Sequence, residues 1–92
     1  MLKVEFTGQF KKDYKLALKR GCDPKELTEV ITDLANGKPL DEKYKDRALE
    51  NSGNYKGMRE CHIRPDWLLI YKIYADRLVL ELIRTGTHSD LF

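Results

Sequence analysis

The sequence predicts a small α+β domain in which a helical hairpin packs on a mainly antiparallel sheet, in the order β-α-α-β-β-β. Two observations predict this class. Residues 1–36 contain one strand-like and then two helix-like segments, and residues 55–92 contain three segments rich in aromatic and β-branched side chains. A run of helices beside a run of strands is typical of α+β proteins. The 92 residues, 41% of them hydrophobic, fit a single domain over residues 1–92.

Residues 2–20 predict a strand and a helix. Apolar and charged side chains alternate over residues 2–6, which is the pattern of a strand with one buried face. Thr7 is the predicted N-cap of a helix over about residues 9–20. The apolar stripe of this helix consists of Phe10, Tyr14, Ala17 and Leu18.

A second helix is predicted from a distinct start signal. Asp23 is its expected N-cap, Pro24 its first residue, and Glu26 at the third position completes a capping box. Asn36 and Gly37 predict its end, since glycine readily takes the left-handed conformation that terminates many helices. Its buried stripe consists of Leu27, Val30, Ile31 and Leu34.

The rest of the chain predicts a loop and then a meander. Residues 38–54 are polar and rich in turn formers, so we expect a loop with at most one short edge strand near residues 47–49. Residues 55–64, 67–74 and 77–85 predict strands, and their two-residue connections require antiparallel pairing. We expect the helical hairpin to cover one face of the sheet and the other face to remain open.

Composition excludes several classes of protein. The longest apolar run, residues 67–71, is far too short to span a bilayer, and lysines interrupt the region where a signal peptide would need an apolar stretch. We therefore expect a cytoplasmic protein without membrane contacts. Cys22 and Cys61 are too few for a disulfide framework, and the sequence has neither a zinc-ligand pattern nor a glycine-rich phosphate loop. We expect no metal and no cofactor.

Charge is uneven along the chain, although the formal net charge is only +2. Residues 1–20 contain six basic and two acidic side chains. Four lysines lie opposite the apolar stripe of the first predicted helix: Lys11, Lys12, Lys15 and Lys19. This basic face is either a surface for RNA phosphates or an ordinary solvated helix face, and charge alone favours the solvated face.

Three side chains are candidates for proton transfer. Alternation along the strand places Glu60, His62 and Arg64 on one face, with Asp66 at the turn beyond. The meander returns His88 to the end of the sheet that carries Asp66. Imidazole is well suited to proton transfer near neutral pH. Asp66 has an equally good explanation as a turn residue after proline.

RNA cleavage without a metal needs a base for the 2′-hydroxyl, an acid for the departing 5′-oxygen and cations for the phosphorane, and this sequence offers candidates for each. Arg59, Arg84 and Lys56 are the candidate phosphate-binding cations. Trp67 and Phe92 could stack on unpaired bases. Core packing explains Trp67 equally well, whereas Phe92 ends the sequence, where an aromatic has less reason to pack.

Several motifs extend over nearly the whole chain. They are YKD at 44–46, GNYKG at 53–57, RECHI at 59–63, PDWLLIY at 65–71 and RTGTHSDLF at 84–92. Together with the order of elements, they closely resemble the YafQ-type toxins of the RelE/ParE superfamily. The resemblance implies a RelE-like fold and a toxin of a type II toxin-antitoxin system.

The resemblance also implies an activity, a set of site residues and partners. Such toxins enter the ribosomal A site, contact rRNA and cut messenger RNA without a metal, leaving a 2′,3′-cyclic phosphate. The implied roles are general acid for His88, base or orienting group for Asp66 or His62, and phosphate contact for Arg84. The family's active positions are His62, Asp66, Trp67, His88 and Phe92. The implied partner is a DinJ- or RelB-like antitoxin, through which alone the toxin would reach operator DNA.

One departure from the family pattern concerns position 47. The family usually has a histidine after the YKD motif, where this chain has Arg47, and the residues that follow, 48–52, include what looks like a two-residue insertion. Arginine stays protonated, so Arg47 cannot act as a base, although it could bind a phosphate. Besides the nuclease, two other functions remain open: a weakened toxin that acts with its antitoxin as an operon co-repressor, and a ParE-like gyrase inhibitor. The constellation of His62, Asp66 and His88 argues against the gyrase inhibitor.

Overall fold

The computed structural model describes residues 1–50 and 53–92, so Asn51 and Ser52, two of the five residues among which the insertion is predicted, lie outside the described residues. Its elements are β1 (Lys3–Phe6), α1 (Gly8–Lys19), α2 (Pro24–Ala35), a 3₁₀ turn (Glu42–Tyr44), β2 (Arg47–Ala48), β3 (Arg59–Arg64), β4 (Trp67–Tyr74), β5 (Val79–Gly86) and α3 (His88–Leu91). The strand order is β1-β5-β4-β3-β2; β1 runs parallel to β5 and the other pairs are antiparallel. The predicted α+β class is confirmed.

The two long helices begin where the sequence predicts. Thr7 Oγ1 accepts a hydrogen bond from the Phe10 N–H at 3.0 Å, and Asp23 Oδ1 accepts one from the Lys25 N–H at 2.9 Å. The predicted capping box of α2 is wrong. The Glu26 carboxylate accepts hydrogen bonds from Arg64 on β3. Because the carboxylate binds this arginine, it does not turn back to the N-terminus of α2.

Burial departs from the predicted pattern at β1 and α1. Val4 and Phe6 are 38% and 51% exposed, so the expected buried face of the first strand is wrong. β1 is an edge strand, and the helices leave this face of it partly uncovered. On α1, Asp13 is buried while Leu18 is 40% exposed.

The sheet has a hydrophobic cluster on each face, so the expectation of one open face is wrong. The cluster beneath α1 and α2 includes Val30 and Leu69. The cluster on the opposite face consists of Leu49, Tyr55, Leu68, Ile70 and Leu91. Part of the predicted loop and the short helix α3 therefore cover the second face.

Two strands begin later than predicted. β3 begins at Arg59 and not at 55, because residues 55–58 form a turn with Gly57 at φ +83°. β5 begins at Val79, after a turn in which Leu78 has φ +53°. The predicted edge strand near residues 47–49 is confirmed as β2, whereas α3 was not expected. No helix in residues 1–50 or 53–92 is long and apolar enough to cross a membrane.

Candidate active site

The register of the sheet brings both histidines to one end of the molecule. His62 on β3 pairs with Leu68 on β4, and Leu68 pairs with Gly86 on β5. His88 follows two residues later as the first residue of α3. Asp66 lies in the turn between β3 and β4, at the same end. The three predicted proton carriers are therefore at the same end of the sheet, as the meander predicts.

His62 lies at a partly exposed edge. β2 pairs with β3 only at Arg59 and Glu60, so β2 does not cover the strand edge beside His62. The imidazole is 25% exposed, and its Nε2 lies 3.8 Å from Glu60 Oε1. It lines a surface cleft together with Lys43 and Lys45 of the neighbouring loop. This environment is accessible to an anionic ligand.

Arg47 is bound to a buried carboxylate. Its Nε donates to Glu60 Oε1 at 2.7 Å, and the guanidinium side chain is 68% exposed while Glu60 is 1% exposed. The register places Arg47 directly opposite Glu60. The predicted phosphate contact is thus engaged by a protein carboxylate, although one side of it faces solvent.

His88 is held within an aromatic group at the end of the chain. Its ring stacks on Phe92 with centroids 4.8 Å apart, and Phe92 meets the edge of Tyr55 at 5.3 Å. The Tyr55 hydroxyl donates to the Leu91 carbonyl at 2.9 Å. Phe92 remains 48% exposed. The arrangement presents an exposed imidazole and part of an aromatic ring side by side.

Asp66 and Arg84 line a second cleft of about 290 Å³ between α1 and the turn at the end of β5. Arg84 donates two hydrogen bonds to Asp13, at 2.9 and 3.0 Å. Burial alone raises the pKa of Asp13, but hydrogen bonds from Arg84, Gln9 and the Thr85 N–H outweigh it and lower that pKa. Asp13 in turn raises the pKa of Arg84. These hydrogen bonds hold the Arg84 side chain against α1.

The end of the same cleft is fixed by an ion pair between Arg20, the C-cap of α1, and Asp90 of α3. Arg20 donates to Asp90 at 2.6 Å, and Asp90 also accepts the Thr87 N–H at 2.9 Å. Both contacts, with Arg20 the larger, hold the pKa of Asp90 well below its ordinary value. A Cβ on Gly86 would lie 3.0 Å from the Asp90 carboxylate. This packing anchors the start of α3 and therefore His88.

Arg59 and Lys56, the other predicted phosphate contacts, differ in their surroundings. Arg59 donates to Asp46 at 3.1 Å, and the Tyr71 hydroxyl donates to the same carboxylate. Burial, followed by the bond to Asp46, raises the pKa of Tyr71. Arg59 pairs across the sheet with Tyr71, on the face opposite His62. Lys56 is exposed in the turn before β3.

Trp67 is placed in the core. Its side chain is 4% exposed and packs in the cluster beneath the helices. The indole Nε1–H donates to Thr85 Oγ1 at 2.9 Å, and Thr85 Oγ1 donates to the Leu68 carbonyl at 2.7 Å. The small exposed part of the side chain lines the surface clefts beside Asp66. The stacking of Trp67 on an RNA base stays a prediction.

Sequence reasoning missed Asp13, the Arg20–Asp90 pair and the burial of Glu60. A signal existed for Asp13, which lies at the helical spacing of Phe10 and Ala17 and thus places a carboxylate on an apolar stripe. The pairing of Arg20 with Asp90 spans 70 positions and follows from the tertiary fold. In the described part of the chain, no three His, Cys, Asp or Glu side chains form a metal-binding group.

The chain matches, over residues 2–92, the family model described as a bacterial toxin of type II toxin-antitoxin systems, YafQ. The chain belongs to the YafQ family. A relative from Escherichia coli BL21-DE3, named mRNA interferase toxin YafQ, is 49% identical over 90 residues, covering 97% of this chain and 94% of the relative. The predicted recognition as a YafQ-type toxin is confirmed.

Solved structures of this family share the fold. A metal-bound toxin from Helicobacter pylori is 46% identical, with a TM-score of 0.92 and full coverage of both chains. The E. coli DinJ-YafQ complex contains a chain that is 45% identical, with a TM-score of 0.88, covering 100% of this chain and 99% of that one. The RelE-like α+β fold expected for YafQ toxins is therefore the fold of this chain.

Proposed function

We propose that this toxin is an endoribonuclease that cleaves messenger RNA on the ribosome, in the cytoplasm and without a metal. The curated E. coli relatives are named mRNA interferase toxins, which supports the class of enzyme. The structural observation that carries the proposal is the cross-strand register: His62 on β3 pairs with Leu68 on β4, and Leu68 pairs with Gly86 on β5, two residues before His88. Both histidines are therefore at the same end of the sheet, with β4 between their strands.

Two histidines at one end of the sheet suit cleavage by the RNA's own 2′-hydroxyl. His62 removes the 2′-hydroxyl proton as the oxygen attacks phosphorus, and His88 donates a proton to the departing 5′-oxygen. The products are a 2′,3′-cyclic phosphate and a free 5′-hydroxyl, so the two protons balance. Asp66, in the adjacent turn, orients the substrate or one of the imidazoles.

The surroundings of His88 and His62 support binding of an RNA strand. The exposed part of Phe92 can stack on a base next to His88. Lys43 and Lys45 beside His62, and Lys56 in the nearby turn, can neutralise phosphates. The lysines of α1 are exposed and are further candidates for contacts to rRNA.

We further propose that the partner is a DinJ-like antitoxin encoded with the toxin. The E. coli relative that is 45% identical forms a complex with DinJ. Contact with operator DNA would occur only in that complex.

A second candidate function is supported by Arg47. This residue is committed to Glu60 by a 2.7 Å hydrogen bond and cannot act as a base. A toxin lacking one proton carrier would retain antitoxin binding and operon repression while cleaving slowly or not at all. Histidine at position 47 would then raise cleavage.

The test is to map new 5′ ends on a reporter message in a translation extract, with ribosomes present or removed. Wild type should produce cuts only with ribosomes, and His88→Ala should produce none. Ser89→Ala, an exposed neighbour on α3, is the matched control and should cleave like wild type. Absence of cuts from folded wild-type protein would favour the second candidate, and equal cleavage by His88→Ala would refute the acid role.

A further inference from the structure

A buried carboxylate with an unused oxygen lies beside His62. Glu60 is 1% exposed, and its Oε1 accepts from Arg47 while lying 3.8 Å from His62 Nε2. Its Oε2 is buried and has no hydrogen-bond partner within residues 1–50 and 53–92. A buried acceptor without a donor costs free energy of folding. Stability therefore does not explain why a carboxylate occupies this position.

His62 is placed to use the carboxylate. The imidazole can donate from Nε2, and its protonated form donates from both nitrogens. The 3.8 Å separation of His62 Nε2 from Glu60 Oε1 exceeds a hydrogen bond by about 1 Å, but it is short enough for the carboxylate charge to attract a protonated imidazole. The ring and the carboxylate lie on the same face of β3, two positions apart.

The other groups around His62 have weaker or balanced charges. β4 places the apolar Leu68 opposite it. From α2 and the strand end, Glu26 and Arg64 face the cleft but neutralise each other through hydrogen bonds as short as 2.8 Å. The remaining charged groups of the cleft are exposed and screened by water: Glu29, Lys43 and Lys45. Glu60 and Arg47 therefore dominate the local electrostatics.

We propose, on the basis of the cleavage reaction above, that Glu60 is a positioning residue: it anchors the His62 imidazole and favours its protonated form, while Arg47 limits this effect by binding the same carboxylate. In this way Arg47, which cannot be a base itself, weakens the attraction of Glu60 for the His62 imidazolium. The arginine in place of the family's usual histidine then moderates the effect of Glu60 on His62.

The test is an NMR titration of both histidines in the absence of RNA, for wild type, Glu60→Gln and Arg47→Ala. Removing the carboxylate charge should move the His62 titration midpoint to lower pH by about 0.5 unit or more, and removing the guanidinium should move it to higher pH. His88, on α3, is the internal reference and should titrate alike in all three proteins. Circular dichroism melts verify that each variant is folded.

Glu81→Gln is the matched control, because Glu81 is a β5 carboxylate that accepts a hydrogen bond from Tyr74 near the other end of the sheet. It should leave the His62 midpoint unchanged. The proposal is overturned if both test variants leave the midpoint unchanged, if both move it in the same direction, or if His88 moves as much as His62.

Cleavage gives the second readout. The acid limb of the pH–rate profile should move in the same direction as the His62 midpoint in each variant, and Glu60→Gln should cleave at least ~10-fold more slowly at the wild-type optimum. If wild type does not cleave RNA, the proposed function fails, whereas the titrations still decide whether Glu60 and Arg47 act on His62.

Discussion

The two buried carboxylates beside the predicted site, Asp13 and Glu60, each pair with one arginine but differ in how fully they are satisfied. Both Asp13 oxygens accept hydrogen bonds from Arg84, and one of them also accepts the Thr85 N–H at 3.2 Å. Glu60 accepts one hydrogen bond, from Arg47, and its second oxygen has no partner in the described residues. The Asp13 network is closed in the sense that both carboxylate oxygens are hydrogen-bonded. In the Glu60 network, one carboxylate oxygen can still accept a hydrogen bond.

A buried carboxylate paired with an arginine serves a different purpose at each of these two positions. Asp13 joins α1 to the end of β5, so its arginine acts as a structural clamp. Glu60 lies at the end of the part of β3 that pairs with β2, and its arginine faces solvent. A buried ion pair with every donor and acceptor used stabilises the fold, whereas an incompletely paired one is better suited to a functional site.

Breaking the closed network should have the largest effect on stability. Asp13→Asn leaves Arg84 without its anionic partner, and we expect the free energy of unfolding to fall by ~3 kcal/mol. Urea denaturation followed by circular dichroism measures this change. Asp76→Asn, at an exposed turn, is the control and should be close to wild type. A similar loss in both variants would mean that Asp13 is not a clamp.

Acid should weaken the same network. The folded-state pKa of Asp13 lies below its unfolded value, so its contribution is complete above pH ~4 and is lost as pH falls below that value. The stability difference between wild type and Asp13→Asn should be largest near pH 6 and shrink progressively below pH 4. Denaturation at a series of pH values measures it. A difference that grows in acid would contradict the assignment.

Trp67→Phe tests the neighbour of the closed network. It removes the donor to Thr85 but keeps an aromatic ring, so we expect a loss of ~1–2 kcal/mol in stability. Because the ring is buried, cleavage by the folded variant should stay close to wild type. A severe loss of cleavage with unchanged stability would instead support the predicted role of Trp67 in stacking on RNA.

Glu60→Leu should have the smallest effect on stability. Replacing a buried, incompletely paired carboxylate by an apolar side chain leaves Arg47 free to turn into solvent, so the free energy of unfolding should change by at most ~1 kcal/mol. Cleavage should nevertheless fall, since His62 loses its anchor. A stability loss as large as that of Asp13→Asn would make the two networks equivalent.

Much of the fold was predictable because local signals agreed with it. Thr7 and Asp23 cap their helices as expected, since capping depends on residues only two or three positions apart. The meander also follows from its short connections, and it brings Asp66, His62 and His88 to one end of the sheet. The roles of these three residues in catalysis stay predictions.

Other features depended on contacts between distant parts of the chain. Glu26 abandons its capping box for Arg64, and Trp67 becomes a core residue through Thr85. Tyr55, in the turn before β3, covers part of one face of the sheet. The sequence pattern had predicted a strand at this residue. At Glu26 and Tyr55 a tertiary contact overrides a local preference worth about 1 kcal/mol or less.

The sequence by itself determined the class of fold, the family and the end of the sheet where the histidines lie, because alternation, capping and turn spacing are local properties. Only the tertiary structure decided which charged groups have all their hydrogen-bond partners within the described residues and which can still bind another group. That distinction depends on the burial of Asp13 and Glu60 and on arginines 71 and 13 positions away. Hydrogen bonds over such separations are set by packing, which no local pattern records.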